Sequence, residues 1–477
     1  MNINTKQRAF PTIPNKNICV PIGSILAVQS YYEKLHFCDI FGKHKSKGLD
    51  LNRLLVGLMS YKLTDNFSIK EAGKWLNQEE ILDILNLERF HERVLYRTLE
   101  ILGRNKEEIL SDILNSLFSI YDFEETDINL DWTSIVLHGT KSKLGKYGYS
   151  RDHRPDKLQI TVGVSELKKS INIPVGITVN RGNVLDLQHF PDTYNQVKSK
   201  LKEGSLIVFD KGANTADNIK LIQEDEMKYL TSMKLNTSDE KIIENFDPKT
   251  AELVDSEKSI YGIKIVKPST IKYFYYSESL QKKQMESKAR TVLKKLQEAK
   301  EIQEVIIKNK KLPKKFRVNN ELIEIDYSFR TKLEELSDEE AIELLKSSII
   351  YGREGFFCLK SNKDLTLEKA LETYREKDSI EKIFNSLKNE IQIKPLRVWS
   401  DDSIYGAILL GFIAQLFISL MRYDFEEIKH RSTKFIKKSL MNLTLTIKFL
   451  KNGVKKYIFA NFDNINSLIV SKMGTIP

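Results

Sequence analysis

Cysteine is scarce in this chain. Only Cys19, Cys38 and Cys358 occur in 477 residues, and none sits in a CxxC pair. That excludes a disulfide framework and a cysteine-based zinc site, and it fits a reducing, cytoplasmic setting. The N-terminus lacks the apolar stretch of a signal peptide, and no internal repeat or low-complexity linker interrupts the chain. The one long apolar run, Tyr405 to Met421, contains Gln415 and falls short of the ~20 residues a membrane span requires. A buried core helix is expected there, and no membrane partner.

What is present points to a folded, multi-domain protein with a basic surface. Hydrophobic residues make up 41% and charged residues 29%, which predicts a packed core rather than disorder. The length suggests two to four domains at about 150 residues each. The formal net charge is +10, and residues 391–477 carry 13 Lys/Arg against 6 Asp/Glu. A basic balance of this size suits a polyanionic partner, although a solvated basic face has the same composition.

Residues 23–122 show apolar positions at three- and four-residue spacing, which predicts helices. Ser68 with Glu71 three residues on reads as a capping box. Two short helices before a longer one bearing Arg93 and Arg97 form either a helix-turn-helix or plain helical packing. Residues 126–236 change character: strand, strand, strand, helix, strand, helix, strand, an α/β order. Residues 237–350 read as an α+β insertion with a long charged helix and strands flanking Asn319–Asn320. Strand and helix return after residue 355, and Asn452–Gly453 between alternating runs predicts a hairpin.

Two carboxylates stand at strand positions: Asp131 in INLDWTS and Asp210 at the end of SLIVFD. Charge within a strand is unfavourable without a reason, and the end of a buried α/β strand faces the crevice where ligands bind. Taken singly, each could be a turn or capping Asp. Gly212 is expected to serve backbone geometry after Asp210. Further on, at 100° per residue Tyr374, Lys377, Glu381 and Lys388 fall within about 60° of one face of a helix. Asn385 and Gln392 would share that face beside an apolar stripe, as in an ordinary amphipathic helix with Glu–Lys pairs. The segment from Lys141 to Lys157 carries six Lys/Arg with Tyr147 and Tyr149 interleaved. That pattern suits phosphate contact and base stacking, or simply a solvated hairpin. His138 and His153 lie nearby in roles read as polar or DNA-facing.

The spacing Tyr-(2)-Lys-(3)-Glu-(6)-Lys resembles the signature of the insertion-sequence-four superfamily of bacterial DDE transposases. INLDWTSIVLHG, KYGYSRDHRPDKLQITVGV, GNVLDLQHF, LIVFDKGAN and YLTSMK resemble that family's other segments, in its order. The resemblance implies an RNase H-like α/β catalytic core with an α+β insertion and a helical N-terminal region. It implies a helical, DNA-binding region over 1–122, core over 123–236 and 351–424, an insertion over 237–350, and a basic C-terminal region over 425–477. It further implies that Asp131, Asp210 and Glu381 are catalytic and hold two Mg²⁺ ions, with Mn²⁺ as a substitute. Tyr374, Lys377 and Lys388 would contact DNA phosphates, Lys377 replacing the usual Arg and so lacking its planar fork. Lys146, Arg151 and Arg154 would add DNA contacts from the basic segment. The expected activity is metal-dependent cleavage at transposon ends and strand transfer. The expected partners are terminal inverted repeats, target DNA and a second protomer in the DNA complex. An inactive transposase-derived DNA-binding protein and an RNase H-like nuclease without strand transfer are the alternatives.

Overall fold

The computed structural model describes residues 18–45, 47–64, 68–306, 315–318, 321–324, 332–333, 335–348, 353–451 and 454–472. The expected turns at Asn319–Asn320 and Asn452–Gly453 lie outside these residues. The chain forms two compact units, one from Met1–Met227 with Lys377–Pro477 and the other from Lys228–Glu376.

The first unit opens with strand β1 (Ile18–Pro21) and seven helices: α1 (Gly23–Lys34), α2 (Phe37–Gly42), α3 (Leu51–Lys62), α4 (Ile69–Leu76), α5 (Glu79–Leu85), α6 (Arg93–Arg104) and α7 (Lys106–Ile120). Ser68 caps α4, its side chain accepting the Glu71 N–H at 3.4 Å. A sheet follows, built from β2 (Ile128–Val136), β3 (Gln159–Leu167) and β4 (Ile173–Arg181). Next come α8 (Asp186–Val197), β5 (Leu206–Phe209) and α9 (Ala216–Glu224). These four strands lie in the order β4-β3-β2-β5. β2, β3 and β4 are antiparallel neighbours, and β5 runs parallel to β2. The result is a mixed α/β core of the RNase H-like kind.

Alternation along β2 gives its two faces different work. Trp132 is buried against α8, where its indole N–H donates to Thr193 Oγ1 at 3.0 Å and its ring lies 5.9 Å from that of Phe190. Asn129 and Asp131 therefore point to the opposite face.

The second unit comprises β6 (Lys228–Met233), α10 (Thr237–Glu244), β7 (Glu252–Asp255), β8 (Ile260–Lys267), β9 (Thr270–Ser277), α11 (Glu278–Ile306), β10 (Lys315–Val318), β11 (Glu321–Glu324), α12 (Asp338–Ser348), β12 (Phe356–Ser361) and α13 (Leu367–Arg375). β6, β12, β9, β8 and β7 form an antiparallel sheet in that order. Ala289 and Val292 of α11 pack with Ala341, Ile342 and Leu345 of α12 in a small apolar core. Beneath it, the Lys288 ammonium meets Glu354 at 2.6 Å with both side chains buried.

The chain then completes the first unit with α14 (Asp378–Asn385), α15 (Asp401–Asp424), α16 (Thr433–Asn442), β13 (Thr444–Phe449), β14 (Lys455–Ala460) and α17 (Asn464–Lys472). The apolar run lies in α15, which is long and apolar enough to cross a membrane; 89% of its most apolar window is buried inside the protein. It packs closely on α6. A Cβ built on Gly103 would collide with the Asp402 carbonyl, and one on Gly406 with the Leu99 carbonyl. This packing occupies one side of α6, while Arg93 and Arg97 are exposed. β1 pairs with β13, and β13 with β14, in a three-stranded sheet joining the two ends of the described chain.

Candidate active site

The parallel register of β2 and β5 decides the geometry. Ile128 pairs with Ile207 and Asn129 with Val208. Two residues further along both strands stand Asp131 and Asp210. Registered residues of a parallel pair point to one face, on strands about 5 Å apart. Asp131 and Asp210 are therefore neighbours on the face opposite α8.

Asp131 is largely buried, and the Lys377 ammonium lies 3.6 Å from its Oδ2. Burial holds its carboxyl above the usual carboxylate range. The Lys377 and Arg151 charges and the Trp132 backbone N–H oppose that rise, while the Asp210 charge adds to it. Asp210 directly follows β5 and accepts the Lys211 N–H at 2.9 Å, opening a short 3₁₀ turn. Gly212 in this turn has no left-handed φ. Its missing side chain leaves room for Asp186, whose Oδ2 would lie 2.9 Å from a Cβ there. Asp186 accepts a 2.7 Å bond from the Arg151 guanidinium. The glycine thus makes space for the pair that positions Arg151 beside Asp131, which is a different service from the expected one.

The helix carrying Glu381 differs from a uniform α-helix. α13 stops at Arg375, a tight turn spans Glu376 and Lys377, and α14 ends in a π turn over Ser386–Glu390. The Ile380 N–H bonds to the Lys377 carbonyl, an i→i+3 contact. Gln392 has φ 54° and has left the helix. A tight turn and a wide turn each shift the helical phase, so the 100° arithmetic over 374–391 fails. Lys377 and Lys388 are buried at 8% exposure each, while Glu381 on the first turn of α14 is exposed. Tyr374, on α13, donates from its hydroxyl to Ser232 Oγ at 2.7 Å.

Beside Asp131 runs a buried polar row that sequence reading passed over. Glu166 on β3 pairs with Asn129 of β2. Its Oε2 accepts from Asn129 Nδ2 at 3.0 Å and from Ser379 Oγ of α14 at 2.8 Å. Glu166 Oε1 has no partner among the described residues. Burial pushes this carboxyl up to about 7 against the opposition of those bonds. It borders a polar cavity of about 480 Å³, also lined by Lys382, Arg422 and Arg431. A glutamate inside a fully buried strand was the available signal.

The basic segment between β2 and β3 is strapped to the sheet. Arg151 N–H donates to Ser134 Oγ, and Gln159 Nε2 donates to the Tyr149 carbonyl. Lys146 is exposed, as are Tyr147 and Tyr149 at 64% and 79%. Arg154 is engaged by Asp156 through two bonds of 2.9 Å. Lys388 reaches Asp152 at 3.1 Å.

The structure thus gathers Asp131, Asp210, Lys377 and Arg151. Glu381 is not clustered with the two aspartates: among the described residues no three His, Cys, Asp or Glu side chains are placed to hold a metal ion. The aspartate pair itself fits a divalent cation. Its two hard oxygen donors adjoin, and one of them is desolvated beside a like charge that a cation would neutralise.

The chain matches the family described as "Transposase DDE domain" over residues 122–417, more than half its length. The chain belongs to that family. This DDE transposase matches seven chains among solved structures. One is a piggyBac transposase in a synaptic complex with hairpin DNA, at 10% identity and a TM-score of 0.42, covering 91% of this chain and 82% of that one. No curated protein matches the transposase.

Proposed function

We propose that this DDE transposase belongs to the insertion-sequence-four superfamily and moves its element by cut and paste. In this reading it nicks DNA at the transposon ends and joins the freed 3′-OH to target DNA. The observation that carries the reading is the pair Asp131, within β2, and Asp210, just past the end of β5, in register on neighbouring parallel strands, one of them desolvated. Asp131 and Asp210 would hold divalent metal, with Glu381 as the third carboxylate from α14. Two Mg²⁺ ions, when bound, would supply activation of the attacking oxygen and charge stabilisation of the leaving oxygen.

The chain's own cations frame this centre. Lys377, 3.6 Å from Asp131, and Arg151, anchored by Asp186, would meet the phosphates flanking the scissile bond. Lys388 and Tyr374 would hold the end DNA. Lys146 and Arg154 would track its backbone from the β2–β3 segment, and the helical region would contribute through Arg93 and Arg97. Terminal inverted repeats, target DNA and a second protomer are the proposed partners. Incubating end-containing duplex with Mg²⁺ or Mn²⁺ tests the proposal. Nicking by the wild type that Asp210→Asn abolishes supports it; DNA binding by the wild type without nicking in either metal overturns it.

A further inference from the structure

The turn before β3 and the segment after the π turn enclose a cavity of about 450 Å³. Among its lining residues are His138, Asp152, Arg154, Lys388, Gln392 and Lys394. Inside it, Asp152 Oδ1 takes both ammoniums, Lys388 at 3.1 Å and Lys394 at 3.5 Å. Asp152 Oδ2 is buried and has no hydrogen-bond partner. The remaining charges nearby are committed elsewhere: Arg154 to Asp156, and Arg151 to Asp186. Lys388 is itself buried, its ammonium held below the ordinary lysine range by desolvation despite Asp152. One carboxylate therefore serves two lysines, with one of its oxygens desolvated and unsatisfied, an unfavourable arrangement for a purely structural ion pair.

We propose that this cavity is a pocket for a DNA backbone phosphate, held by Lys388 and Lys394, and that the Asp152 carboxylate is an internal occupant which the phosphate displaces. A phosphodiester brings two non-bridging oxygens and a single negative charge, so it can replace the carboxylate between the two ammoniums and satisfy both. The assignment rests on the transposase reading and adds to it a contact, Lys394, and a competing group, Asp152. It makes DNA binding a displacement reaction, in which affinity is reduced by the cost of evicting the carboxylate.

The test is equilibrium binding of the full chain to duplex DNA in EDTA, over a range of salt. Asp152→Asn is expected to tighten binding about tenfold by removing a like charge from the phosphate site. Lys394→Gln is expected to weaken it and to lower the slope of log affinity against log salt by about one. Thermal melts supply the second readout: Asp152→Asn melts lower than the wild type without DNA, and DNA restores it by a larger increment. Unchanged or weaker binding by a folded Asp152→Asn overturns the displacement. Should that variant not fold, an unaltered salt slope in Lys394→Gln overturns the pocket. Inorganic phosphate stabilising Asp152→Asn while its DNA affinity stays at the wild-type value would overturn the DNA assignment. A wild type without salt-dependent DNA binding marks failure of the parent reading instead.

Discussion

Glu166 should make stability fall between about pH 5 and pH 8, and Glu166→Gln should remove that fall. The carboxyl sits in a strand buried on both sides and is raised from 4.5 to about 7 by desolvation, which outweighs the bonds from Asn129 and Ser379. Between those two values the folded chain binds more protons than the unfolded chain, so folding weakens as pH rises. Linkage over this window gives a loss of roughly 2–3 kcal/mol between about pH 5 and pH 8. Glutamine keeps an acceptor for Asn129 and Ser379 and turns its amide nitrogen toward the cavity where Oε1 now lies unpartnered. Other titrating groups act equally on both proteins, so the quantity to measure is the difference between their urea-unfolding free energies across the window, followed by circular dichroism. The wild type should lose about 2–3 kcal/mol more than the variant. Parallel curves would refute the reasoning and mean that water reaches Glu166 and screens it.

Three further outcomes are expected. Gly406→Ala should destabilise the first unit by about 2–3 kcal/mol, read in the same unfolding assay, because its methyl meets the Leu99 carbonyl. Lys62 donates to the Gln392 carbonyl at 3.2 Å and is lowered to about 8 by burial and by Lys437. A depressed lysine is deprotonated earlier when folded, so stability should rise with pH from about 8 toward 10.5, and Lys62→Met should lose that rise. Lys288→Met should remove a buried ammonium from Glu354 and destabilise the second unit by about 3–5 kcal/mol, seen as faster proteolysis within residues 228–376, whereas replacing both partners with apolar residues should recover most of it.

Much of this architecture was legible because its signals are local. The β-branched runs around Asp131 and Asp210, the charged helix after Ser277 and the apolar run in α15 each carry their own periodicity. Asp131 and Asp210 were legible as charges at strand positions, and the register of β2 and β5 then made them neighbours. Three features were not legible, each because it depends on partners distant in sequence or on small departures from ideal geometry. The pairing of β1 with β13 joins residues more than 400 apart. The tight turn at Lys377 and the π turn over Ser386–Glu390 change a helical phase that a fixed 100° step cannot follow. Glu166 and Asp152 acquire their character only from what folding buries around them, Ser379 in one case and two lysines in the other.

Strand transfer tests the central claim most directly. A duplex carrying a pre-cleaved transposon end with a free 3′-OH is mixed with supercoiled target DNA and Mg²⁺, and joined product is scored for the wild type, Asp131→Asn, Asp210→Asn and Glu381→Gln. The account predicts joined product from the wild type alone, with all three variants still binding the end. Joining by Asp131→Asn or Asp210→Asn at the wild-type rate would contradict it.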